Sequence, residues 1–71
     1  MNTVELSLTE WLDIIRGEYL EIPGLHLTRP QAQRLWGLDS RTCDALLGSL
    51  VRSGFLTETP SGHYARADQL R

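Results

Sequence analysis

Three helix starts, each answered by a helix stop, are packed into the first 54 positions of this chain, and that punctuation limits what it can fold into. Ser7 with Glu10 three residues on, Thr28 with Gln31 three residues on, and Asp39 each offer a side-chain oxygen to the otherwise unpaired amides of a first helical turn. Pro23-Gly24, Gly37 and Gly54 close the segments those caps open. Helices of about two to four turns follow, too short to stand alone, so their apolar faces must share one core.

The first segment carries Leu8, Trp11, Leu12, Ile15 and Tyr19 at three- and four-residue spacing, which predicts an amphipathic helix with one apolar stripe. Leu6 and Trp11 stand at the spacing of a hydrophobic staple. Gly17 lies inside this helix at a cost of roughly 1 kcal/mol relative to alanine. Leu25-His26-Leu27 alternates and predicts a short strand. Thr28-Arg29-Pro30-Gln31 starts a second, brief helix whose apolar side is Ala32, Leu35 and Trp36. Asp39 caps a third, running to about Ser53, with Cys43, Leu46, Leu47 and Leu50 facing inward. Phe55–Thr59 and His63–Arg66 flank Pro60-Ser61-Gly62 and predict a hairpin. Residues 67–71 are expected to fray, leaving a single domain over 1–71 with its structured part at about 6–66.

The order helix, short strand, short helix, tight turn, longer helix, hairpin resembles the winged helix-turn-helix family. The resemblance rests on Leu27-Thr28 at the start of the second helix, Ala32 and Leu35 on its inner face, and Gly37-Leu38-Asp39 in the turn. Thr42-Cys43 opens the third helix, and Leu46, Leu50 and Gly54-Phe55-Leu56 lead into the wing. It spans about residues 8–66 and implies an α+β, mostly α, fold of three helices with a small antiparallel sheet. It also implies binding of double-stranded DNA, as a transcription regulator or accessory factor, with the third helix in the major groove and the wing on the backbone.

Carried onto this sequence, the resemblance makes Arg41, Ala45, Ser49 and Arg52 the outward face of the inserted helix. Arg41 is the candidate for a guanine edge. Thr28, Arg29, Arg34, Thr42 and Arg66 become candidates for gripping phosphate. The chain departs from the usual pattern in two places. Asp44, Ala45, Gly48 and Ser49 stand where basic or amide side chains are common, and the wing tip Pro60-Ser61-Gly62 has no cation.

Charge bears on that reading. Seven positive side chains, all arginine, meet nine acids for a net of −2. The five acids among residues 1–21 face only Arg16, whereas residues 22–71 carry six arginines against four acids. One end of the chain is therefore acidic and the rest mildly basic, a weaker signal than nucleic-acid binders usually show. The alternative is a protein-interaction or assembly module whose contact surface is the small-residue strip Ala45, Gly48 and Ser49, with a homodimer or another protein as partner. Val4 and Leu6 are further apolar candidates for a dimer contact.

Other classes fit less well. No phosphate-binding loop, dinucleotide fingerprint or zinc-protease motif is present, so no enzyme is expected. Cys43 reads as a small core residue, and Trp11 and Trp36 as core or half-buried side chains. His26 and His63 come together if their strands pair, but two imidazoles without carboxylate partners are a thin metal signal, and no metal or cofactor is expected. No apolar run approaches the roughly 20 residues of a membrane span. A single cysteine suits a reducing compartment, and a cytoplasmic location is expected.

Overall fold

The computed structural model describes residues 6–69. It contains α1 (Leu8–Glu21), β1 (Leu27–Thr28), α2 (Arg29–Trp36), α3 (Ser40–Arg52), β2 (Leu56–Glu58) and β3 (His63–Arg66), followed by a 3-10 turn over Ala67–Gln69. The fold is α+β and mostly helical, with three helices and one small sheet, a layout compatible with a winged helix.

Each helix begins where its side-chain chemistry dictates. Ser7 accepts from the Glu10 amide while the Glu10 carboxylate accepts from the Ser7 amide, at 3.1 and 2.8 Å. Thr28 and Gln31 repeat the exchange at 3.3 and 2.9 Å. Asp39 caps α3 alone, its carboxylate accepting from the Thr42 amide at 3.2 Å. Such reciprocal bonds satisfy amides that have no partner within the helix.

Two stops use left-handed glycine. Gly37 at φ +64° turns the chain so that the Leu38 amide reaches back to the Gln33 carbonyl. Gly54 at φ +87° lets its own amide bond Val51 and the Phe55 amide bond Leu50, so both last-turn carbonyls are satisfied. The first of these turns brings α2 and α3 into contact. The second launches β2.

The sheet runs β1-β3-β2, antiparallel throughout, with Leu27 opposite Tyr64, Thr28 opposite His63, and Leu56, Thr57 and Glu58 opposite Arg66, Ala65 and Tyr64. The wing turn closes through Gly62 donating to Thr59, and Thr59 donating to His63. Ile15, Tyr19, Ala32, Cys43, Leu46, Leu47, Leu50, Leu56 and Tyr64 form the core, with Trp11, Leu12, Leu27, Trp36 and Phe55 half-buried against it. The Tyr19 hydroxyl donates to the Tyr64 carbonyl at 2.8 Å, which ties α1 to the central strand.

Four expectations are corrected. Leu8 is 55% exposed, because its turn of α1 precedes the buried pair Ile15 and Tyr19 and meets no core. Leu35 is also 55% exposed, so the inward side of α2 reduces to Ala32 and Trp36. The first strand is Leu27–Thr28 rather than Leu25–Leu27, because pairing with β3 starts only at Leu27 and Thr28 already serves as the cap of α2. The predicted tail does not fray as far as Gln69. The Ala67 amide bonds the Phe55 carbonyl at 3.0 Å, and the Gln69 side chain accepts from the Gly24 amide at 3.0 Å. Val4, Leu70 and Arg71 lie outside the described residues.

Candidate nucleic-acid interface

Helix α3 turns Cys43, Leu46, Leu47 and Leu50 into the core, which fixes what its other side presents. At 100° per residue, Arg41, Ala45, Gly48 and Arg52 fall in one outward strip, with Asp44 and Ser49 on its borders. Arg41, Asp44, Ala45 and Arg52 are exposed, while Gly48 and Ser49 are partly covered. Arg41 and Arg52 stand three turns apart on the same side, a rise of about 16 Å.

Part of that strip is closed. A Cβ built on Gly48 meets Arg52 Nη1 at 3.3 Å, so the guanidinium folds back over the glycine. The space that a mid-helix glycine leaves is taken by the helix's own arginine. The Ala45/Gly48/Ser49 strip is therefore not the smooth open surface that the sequence alone implies.

The remaining cations divide into two groups. Arg29 donates through Nε to Asp44 at 2.7 Å and through Nη2 to the Tyr64 hydroxyl at 3.0 Å, linking α2, α3 and β3. Those two partners, Tyr64 first, hold its guanidinium even more firmly protonated than usual. Arg66 pairs with Asp68 at 2.7 Å and lies over the Phe55 ring, its carbon 6.0 Å from the ring centre. Arg16 pairs with Asp13 within α1. Among the described residues, Arg34, Arg41 and Arg52 form no ion pair. All three belong to α2 and α3.

The polar candidates are partly engaged at home. The Thr28 hydroxyl accepts from Gln31, which leaves its own hydrogen available to an outside acceptor. Thr42 is half-buried, and hydrogen bonding from its hydroxyl and its amide holds the Asp39 carboxyl below its ordinary range. That carboxylate occupies the amide end of α3, where it competes with any phosphate. Cys43 is buried as expected, and burial first, then the nearby Asp44 charge, pushes its thiol up. It is a core side chain rather than a nucleophile.

Compared with protein-family models, curated proteins and solved structures, the chain matches none. The arrangement of its own side chains is what bears on function.

Two features were not legible in the sequence. The Tyr64 side chain is only 5% exposed, and its hydroxyl accepts from Arg29 on another element. The Arg29–Asp44 pair joins residues 15 positions apart on different helices, for which no local pattern gives a signal. A shallow open groove of about 390 Å³ also runs beside α2, lined by His26, Leu27, Gln31, Arg34 and Leu35. The exposed Leu35 forms one wall of it. Among the described residues, no group of three or more His, Cys, Asp or Glu gathers as a metal cluster, and no helix is long and apolar enough to cross a membrane.

Proposed function

We propose that this protein binds double-stranded DNA through α3, in the cytoplasm, as a transcription regulator or accessory DNA-binding factor. The observation that carries the reading is the placement, among the described residues, of the arginines without an ion pair, all in the α2–turn–α3 segment, while the acids of α1 lie apart from them in sequence. Arg41, in the first turns of α3, reads a guanine edge in the major groove, with Ala45 and Ser49 lying close to the bases. Arg52 at the far end of the helix, Arg34 on α2 and the Thr28 hydroxyl hold phosphates. Arg29 and Arg66 contribute only after giving up or sharing their carboxylate partners.

That division predicts a modest interface. Neutralising two phosphates, with Arg34 and Arg52, gives a slope of about −2 for log K against log salt. The test is an amide chemical-shift titration with a short duplex at low salt. The expected result is a set of shifts at Thr28, across α3 and in the wing that fades as salt rises. Absence of shifts at millimolar duplex overturns the reading.

A second reading, docking of a protein partner or a second copy, is favoured by one specific observation. Leu35 is more than half exposed at the edge of the groove beside His26 and Leu27. Sizing the pure protein across a concentration series distinguishes a homodimer from the monomeric DNA-binding form.

A further inference from the structure

His26 precedes β1 and His63 begins β3, and the antiparallel register of those strands places the two residues diagonally on one face of the sheet. Their ring centres are 6.4 Å apart with the planes at 70°. Two imidazoles bound through nitrogens at about 2.0–2.1 Å from a shared metal have ring centres roughly 5–6 Å apart, depending on the angle at the metal. A small rotation of the His26 ring covers the difference, and His26 is exposed and free to make it.

The second ring is already held. His63 Nδ1 lies 3.0 Å from Ser61 Oγ, Ser61 Oγ lies 3.0 Å from Thr59 Oγ1, and the His63 amide donates to Thr59 Oγ1 at 3.1 Å. One assignment of hydrogens satisfies the whole chain. Nδ1–H donates to Ser61, Ser61 donates to Thr59, and Thr59 accepts twice. It leaves the Nε2 lone pair of His63 unshared and the ring fixed. A hydrogen bond to the far nitrogen of a metal-bound imidazole plays this part in metal sites generally, setting the tautomer and the ring orientation. The Pro60-Ser61-Gly62 tip, which carries no cation for a phosphate, thereby acquires a role through Ser61.

We propose that His26 and His63 form a two-imidazole site for a divalent first-row transition metal of the zinc, copper or nickel kind, with Ser61 as a positioning residue. Imidazole nitrogen suits these borderline ions over magnesium or calcium, which prefer oxygen donors. No third protein ligand gathers there among the described residues, so the other coordination positions stay open to water or an exchangeable donor. Arg34 lines the same groove as His26 and opposes a cation, which limits affinity. The site adjoins the proposed DNA interface without sharing its α3 residues, since Arg34 lines the groove beside His26 and Thr28 pairs with His63 across the sheet.

The test uses the full chain and zinc chloride alone, following the imidazole carbon-bound protons by NMR. Both histidines are expected to shift together and to saturate. His26→Gln and His63→Gln are each expected to weaken binding on the order of 100-fold, because each removes one of two ligands that the scaffold ties together. Ser61→Ala keeps both imidazoles and is expected to weaken binding about tenfold, as loss of an orienting hydrogen bond does. Arg34→Gln is expected to tighten it. Amide spectra confirm that each variant stays folded. The proposal fails when only one imidazole responds, when neither responds at millimolar zinc, or when the double histidine variant binds as the wild type does.

Discussion

Replacing Tyr19 with phenylalanine removes a single oxygen from the middle of the molecule. The side chain is 0% exposed, its ring sits edge-on to Phe55, and its hydroxyl donates to the Tyr64 carbonyl at 2.8 Å. The ring keeps its packing in Tyr19→Phe, so no cavity term arises beyond one atom. The loss is one buried hydrogen bond, its acceptor the carbonyl of a residue paired in the sheet with Leu27. A net bond contributes about 0.5–1.5 kcal/mol, so a destabilisation of about 1 kcal/mol is expected. For a domain of this size that lowers the melting temperature by roughly 4–8 °C.

The same substitution changes the response to alkali. Burial first, then the neighbouring Cys43 and Tyr64 groups, push the Tyr19 phenol well above its ordinary range. Its folded value is thus higher than its unfolded value of about 10, so its contribution is complete below pH 10 and is lost as pH rises toward the folded value. Thermal melts of both proteins between pH 7 and 11 check both parts. The variant is expected to start less stable and to lose less above pH 10. Melting temperatures within about 1 °C at neutral pH, or parallel alkaline losses, refute the reasoning.

Further outcomes follow from the geometry. Thr28→Ala removes the cap of α2 and is expected to cost about 1 kcal/mol in urea unfolding, since the Gln31 amide loses its acceptor. Gly17→Ala is expected to gain about 1 kcal/mol, because a Cβ there meets nothing within 4 Å; Gly48→Ala gains less, since Arg52 must yield. Asp39→Asn keeps a good cap but removes a carboxyl held below its ordinary range. That group stabilises the fold above its unfolded value of about 3.9 and loses its effect as pH falls through the lower folded value, so the variant is expected to show a flatter acid limb in a pH series of melts. Arg41→Ala is expected to weaken binding to a preferred duplex by about 1–3 kcal/mol and to flatten discrimination at one base pair, read by competition with single-base variants.

What was legible in the sequence is local. The Ser7/Glu10 and Thr28/Gln31 exchanges, the Asp39 cap, the left-handed turns at Gly37 and Gly54 and the hairpin around Pro60-Ser61-Gly62 each involve groups within a few residues, so their energies depend little on the rest of the molecule. The inward face of α3 was legible for a related reason, since four apolar side chains at helical spacing leave one solution. The same periodicity assigned Leu8 and Leu35 to the core and misplaced both. A stripe says which side of a helix is apolar, but not how far the neighbouring elements extend to cover it.

The candidate site divides along the same line. That Arg41, Ala45 and Arg52 share an outward strip follows from helix geometry alone. Which arginines are available to a phosphate does not, because Arg29 is claimed by Asp44 and Tyr64 from two other elements and Arg66 by Asp68 in a turn expected to fray. The meeting of His26 with His63 likewise depends on strand register between residues 37 positions apart in the chain. Sequence by itself determined where each helix begins and ends and which side of α3 turns inward, since hydrogen bonds and backbone preferences act over one turn of chain. Tertiary structure alone decided which charges are spent and which side chains meet, since those are settled by distances through space that chain separation does not encode.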